Sequence, residues 1–325
     1  MDMNIRQLKQ QARQRLSAAS YSPGKLTLIH GGVIVALSLI LSLISLALDS
    51  GIDSAGGLSG MRVQNVLMTV KTLLTYAQVL LLPFWQIGIL FAFLQIVRHN
   101  PTGPHSLLQG FRRFGPVLRL TLLEMVLYFA LGMACAYISS FLSMFFPNSM
   151  YALLMPVMEE FSASPNADNY QLLERLPQEQ ILDAMLPMLL IFATLYLVCV
   201  AFVGYRLRFA RYLVLEESGF GALKAMHFSF QLTKGNCISL LKLDFSFWWY
   251  YLLQALAMTL CYGDLMLDIA GVNLSGARTW VSLICYCIYG GISLYVDYLY
   301  RPRVEAAYAL AYDSLKNPYP APFSL

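Results

Sequence analysis

The chain has 325 residues, of which 58% are apolar and only 12% charged, with 22 Lys and Arg against 18 Asp and Glu. A soluble protein carries roughly 25% charged residues, so these values and a mean hydropathy of +0.59 exclude an ordinary soluble enzyme or binding domain. They also exclude a disordered, collagenous, coiled-coil or disulfide-stapled chain, and they lead us to expect an all-α, polytopic integral membrane protein.

The N-terminal arm, 1–25, reads as a basic amphipathic helix. Ile5, Leu8, Ala12, Leu16 and Ala19 recur at spacings of 3, 4, 4 and 3, which places them on one helical face. Arg6, Lys9, Gln10 and Arg13 occupy the other, and Pro23-Gly24 closes the segment. A hydrocarbon crossing needs about 20 mostly apolar residues. Six stretches qualify: Leu26–Leu48, Leu73–Val97, Pro116–Phe146, Leu186–Tyr205, Leu240–Tyr262 and Thr279–Leu299. They define a six-span membrane domain over 26–299 and a cytoplasmic tail over 300–325. Ser45-Leu46-Ala47 resembles a signal-peptide cleavage site, but the long preceding arm and the length of the apolar run favour an uncleaved first span. Arg206, Arg208 and Arg211 read as an extension of the fourth span.

Eighteen of the 22 basic residues fall on one side of this topology, leaving Arg62, Lys71, Arg175 and Arg278 on the other. Because Lys and Arg concentrate in cytoplasmic connections, both termini are expected on the cytoplasmic side of the cytoplasmic membrane. The one long outer connection, 147–185, carries Glu159, Glu160, Asp168, Glu174, Glu179 and Asp183 against Arg175 alone. It reads as a solvated acidic loop with a short helix near Asn169–Ala184, or as a cation-attracting vestibule.

The inner segments before spans three and five share the layout of the arm. Leu107, Leu108, Phe111 and Phe114 precede Gly115-Pro116; Leu223, Met226, Phe230 and Leu232 precede Lys234-Gly235-Asn236. Three interfacial helices are therefore expected. They either lie among anionic inner-leaflet headgroups, with Arg6, Lys9 and Arg13 as lipid-contacting cations, or pack on the inner end of the bundle.

The segment Ser229-Phe230-Gln231-Leu232-Thr233-Lys234-Gly235-Asn236, with Leu243, Ser246-Phe247 and Trp249 after it, resembles the signature of a bacterial membrane family, domain of unknown function 975. Ile5-Arg6-Gln7-Leu8-Lys9, Ala12-Arg13 and Leu16 resemble its N-terminal segment, and Pro302, Ala306, Ala307 and Tyr308 its C-terminal one. Here Arg303 follows Pro302, where the resemblance leads one to expect tyrosine. The resemblance implies a multi-pass membrane protein and supplies no catalytic residue.

The chemistry-bearing residues are few. Glu124, Asp244 and Asp297 fall inside spans, where an ionisable group costs a few kcal/mol and marks either an ion pair or a transport site. Asp297 can pair with Arg301 at i, i+4; Asp244 has Lys242 nearby, and Glu124 could meet Arg119 or an arginine beyond span four. Asp264 and Asp268 read as a solvated turn or a cation-flanking pair. The six cysteines lack a C-x-x-C pair and the four histidines lack H-E-x-x-H spacing. Neither a metal nor a cofactor is expected, nor a nucleic-acid partner. Pro83 and Gly88 in span two and Gly290-Gly291 in span six allow either broken binding helices or close packing. The expectation is a non-enzymatic cytoplasmic-membrane protein, with envelope or lipid organisation as the role considered. The alternative is a small permease or ion-coupled transporter using Glu124, Asp244 or Asp297.

Overall fold

The computed structural model describes residues 4–54, 57–146, 151, 153, 155, 159, 178–216, 221–269 and 278–316. Among them every regular element is helical: α1 (Ile5–Ser17), α2 (Pro23–Ser54), α3 (Gly57–Val97), a 3-10 turn (Pro104–Leu108), α4 (Gln109–Arg112), α5 (Phe114–Ser143), α6 (Gln178–Leu207), α7 (Ala210–Glu216), α8 (Ala222–Thr233), α9 (Cys237–Phe245), α10 (Trp248–Cys261), α11 (Gly263–Ile269) and α12 (Arg278–Lys316). Among the described residues, five stretches are long and apolar enough to cross a membrane: Pro23–Ser45, Val63–Val97, Phe114–Ser143, Asp183–Glu216 and Trp280–Lys316.

The chain divides into two units, Met1–Thr121 with Leu207–Leu325, and Leu122–Arg206. The second holds most of α5 and α6. Val126, Phe129, Leu197, Val198 and Phe202 are all exposed in it, an apolar surface that suits a lipid environment. Most of the acidic connection lies outside the described residues, as do the side chains of Asp264 and Asp268. Gln178–Ala184 already belongs to α6.

In the first unit α12 packs on α2, α10, α1 and α3. At 39 residues it is about 58 Å long at 1.5 Å per residue, well beyond a hydrocarbon core of about 30 Å. The expected tail is therefore helix up to Lys316. It is also deeply buried: Ala306, Ala307, Tyr308, Ala309, Ala311 and Tyr312 are almost completely covered. Small residues between tyrosines let α1, α8 and the neighbouring helices close around it.

Three other expectations change. The chain turns at Arg208-Phe209 instead of extending span four, because the Phe209 N–H is accepted by Ser229 Oγ at 3.2 Å and α7 then begins afresh, buried along its length. The fifth span is not one helix. Tyr250 N–H turns to the carbonyl of Phe247 (2.9 Å), so the Ser246 carbonyl loses its helical donor and receives the Lys9 ammonium at 2.9 Å instead. Lys9 also lies over the Phe247 ring, 4.4 Å from its centroid.

The expected helix before span three is a 3-10 turn followed by one helical turn, seated directly on α3. A Cβ on Gly88 would lie 1.8 Å from the Leu107 carbonyl oxygen, and one on Gly110 2.0 Å from that of Phe84. These glycines let two backbones touch, and α3 runs unbroken through Pro83 and Gly88. Gly290 likewise faces Val35 of α2 within an unbroken α12.

The outer two amphipathic segments form as helices. Asn4 caps α1, its Oδ1 accepting the Gln7 N–H, and Leu8 and Ala12 are buried. The apolar stripe of α1 is thus taken up by packing on α12 and α3. On α8 the buried face is Ala222, Ala225, Ser229 and Leu232, whereas Leu223 is 71% and Phe230 38% exposed.

Candidate functional site

Helix α12 carries Ser293, Asp297, Arg301, Glu305, Tyr308 and Tyr312 at spacings of 4, 4, 4, 3 and 4, a polar ladder along one face. Arg301 Nη1 donates to Asp297 Oδ2 at 3.0 Å and its Nε to Glu305 Oε1 at 3.4 Å. Asp297 also accepts from Tyr250 OH (3.0 Å) and Gln254 Nε2 (2.7 Å), both on α10. The Gln254 amide oxygen accepts the Ser293 hydroxyl at 3.0 Å. Arg301 Nη1 lies 3.4 Å from Nδ1 of the fully buried His30. A guanidinium can only donate, so Nδ1 is the acceptor and the ring proton sits on Nε2. His30 stacks on Trp85 at 5.8 Å, and the Trp85 indole donates to the His30 carbonyl at 2.9 Å. One ladder segment therefore ties α2, α3 and α10 to α12.

Asp244 on α9 forms the second cluster. It accepts from Tyr251 OH at 2.6 Å, from Tyr308 OH, and from Arg208 Nη1 at 3.3 Å. The Arg208 guanidinium lies over the Tyr308 ring, 3.4 Å from its centroid. Arg208, not Lys242, is thus its salt-bridge partner: residues two apart on a helix do not face each other, and Lys242 points outward.

The third cluster joins residues remote in sequence. Arg98, just past α3, pairs with Glu216 and forms a fork on Asp313, Nη2 to Oδ1 at 2.5 Å and Nε to Oδ2 at 3.2 Å. Glu216 also accepts from Tyr312 OH (2.5 Å) and Lys316 Nζ (2.8 Å). Burial opposes the Arg98 charge, but its hydrogen bonds to Asp313 and Glu216 outweigh that and raise its pKa. Tyr312 stacks on the buried Tyr212 at 5.0 Å. The abundance of tyrosine, 20 in the chain, thus finds part of its use as phenol donors to buried carboxylates.

Asp244 and Asp297 fall in the same unit, whereas Glu124, also buried, belongs to the Leu122–Arg206 unit. Arg6 and Arg13 are exposed and Lys9 is half-buried. The six cysteines are free thiols. Among the described residues, no three His, Cys, Asp or Glu side chains converge as metal ligands. About three turns N-terminal to Asp297 on α12, a cavity of about 300 Å3 opens between α2, α3 and α12, lined by Ser38, Ser42, Ser45, Lys71, Gln78 and Tyr286.

A family described as "Protein of unknown function (DUF975)" matches residues 3–316. The chain belongs to that family. No curated protein and no solved structure matches it. In this DUF975 chain the residues that carry the resemblance pack the Met1–Thr121 and Leu207–Leu325 unit together. Leu8 and Ala12 pack α1, and Ser229 both caps the chain at Phe209 and accepts the Thr233 hydroxyl through its carbonyl at 2.8 Å. Gly235 takes φ +81 between α8 and α9, a value that favours glycine. Ala306, Ala307 and Tyr308 form the buried end of α12.

Proposed function

We propose that this protein is a non-enzymatic integral protein of the bacterial cytoplasmic membrane, crossing six times with both termini inside, and serving envelope or lipid organisation. The crossing that this reading adds to the five long apolar helices is the α10–α11 segment. Trp248 to Ile269 is 22 residues, about 33 Å of helix, and Leu256, Met258, Leu265 and Met266 along it are exposed. The α9 segment then sits at the inner border with Asp244.

The observation that carries the proposal is the saturation of two of the three acids, Asp297 and Asp244. Asp297 and Asp244 each take three protein donors, one of them an arginine. A carboxylate held this way fastens helices; a transport site needs a carboxylate that exchanges partners with its cargo. The basic residues that remain exposed on the inner layer suit anionic lipid.

A small permease is the second reading, favoured by the polar cavity between α2, α3 and α12. Proteoliposomes holding a pH-sensitive dye separate the two. The proposal expects proton leakage equal to that of empty vesicles, and lower stability for Asp297→Asn. A protein-dependent flux that disappears in a folded Asp297→Asn variant would establish the permease instead.

A further inference from the structure

Helix α1, the break between α9 and α10, and α12 just beyond Asp297 enclose a second cavity of about 160 Å3. Its charged lining is Lys9, Arg13 and Arg303, and its aromatic lining includes Phe247, Trp249 and Tyr300. Arg98, Arg208 and Arg301 each have a carboxylate partner. By contrast, no carboxylate pairs with Lys9, Arg13 or Arg303 among the described residues. Three cations facing one small space repel one another. Burial, and then the charge of Arg13, push the Lys9 ammonium below its ordinary pKa. Lys9 uses one donor on the Ser246 carbonyl, and an ammonium has three. Arg13 and Arg303 are exposed, so their guanidinium groups are open to a ligand arriving from the headgroup layer. Tryptophan and tyrosine beside them are the residues that favour that layer.

We propose that this cavity is a binding site for a phosphoryl group, which Arg13 and Arg303 hold between them with Lys9 behind. Tetrahedral phosphate oxygens match guanidinium forks and an ammonium together. On the membrane-protein reading given above, on which this choice of source rests, the phosphoryl group belongs to an anionic phospholipid headgroup, and its acyl chains run out along Trp249 and Phe247. The site converts a general attraction of the basic face into a defined lipid position at the joint between α1 and the broken fifth span.

The test uses the full chain in phosphatidylcholine nanodiscs, titrated with phosphatidylglycerol, glycerol phosphate or inorganic phosphate, and read by native mass spectrometry. The proposal expects saturable phosphatidylglycerol binding. Arg13→Gln or Arg303→Gln each weaken it on the order of tenfold. The double variant adds no more than about twofold, because both cations share one phosphate. Arg6→Gln, on the same helix but outside the cavity, weakens binding by no more than about fivefold. Equally tight binding of glycerol phosphate that the same two variants abolish keeps the phosphoryl site and assigns it a soluble ligand. Variants that act additively and no more strongly than Arg6→Gln overturn the site, as does the absence of binding by every probe. Release of the protein from membranes by an alkaline wash would instead defeat the functional reading. All three substitutions alter exposed charges, and the size-exclusion profiles of the four variants should match that of the unaltered chain.

Discussion

Replacing Asp244 by asparagine tests whether its cluster fastens helices together. The substitution keeps the shape but removes the charge that Arg208 faces at 3.3 Å and that two tyrosines donate to. Removing one partner of a buried ion pair costs about 3–5 kcal/mol, because the other charge stays behind. The Arg208 side chain is 32% exposed and that of Asp244 15%, so water recovers part of this, and we expect about 2 kcal/mol. At roughly 2–4 °C per kcal/mol for a chain of this order, the midpoint of thermal unfolding in detergent should fall by about 4–8 °C. Arg208→Met should cost a similar amount, since it also loses the Tyr308 ring. The double variant should then be less destabilised than the sum of the singles by about 1 kcal/mol or more. Strictly additive effects, each below about 0.5 kcal/mol, would refute the pairing.

Gly88→Ala should destabilise the protein by about 3 kcal/mol or more, read as a lowered unfolding midpoint, because its methyl would meet the Leu107 carbonyl at 1.8 Å and a backbone must move. His99 ends α3 with φ 58, and the Asn100 N–H reaches back to the Gln95 carbonyl at 3.0 Å. This is a Schellman cap normally occupied by glycine, so His99→Gly should stabilise by about 0.5–1 kcal/mol in the same measurement. Gly235→Ala forces an L side chain into φ +81 and should cost about 1–2 kcal/mol.

The parts of this architecture legible in the sequence are those set by local spacing. Apolar run length locates the five long apolar helices among the described residues, and Asp297 and Arg301 stand one turn apart. What stayed hidden depends on partners remote in sequence. The break in the fifth span is sustained by Lys9, 237 positions away, and Asp244 finds Arg208 36 positions away. No periodicity within Leu240–Tyr262 reports either. The burial of 300–316 was readable in part: alanines alternating with Tyr308 and Tyr312 mark a helix meant for close packing. The pairing of the arginines and carboxylates around it, across α3, α7 and α12, appears only in three dimensions. Spacing did bear on Asp244, since positions 242 and 244 cannot face each other.

The number of crossings is the central claim, and the two ends of the chain test it most directly. Five long apolar helices alone would leave the termini on opposite faces; counting the broken α10–α11 segment as a sixth crossing returns them to the same one. Reporter fusions placed within Asn4–Gln10 and after Leu325, in the same cells, should both read cytoplasmic, while one near Asn166 reads external. Termini on opposite sides would contradict the six-crossing account and leave α10 and α11 as segments that never span the bilayer.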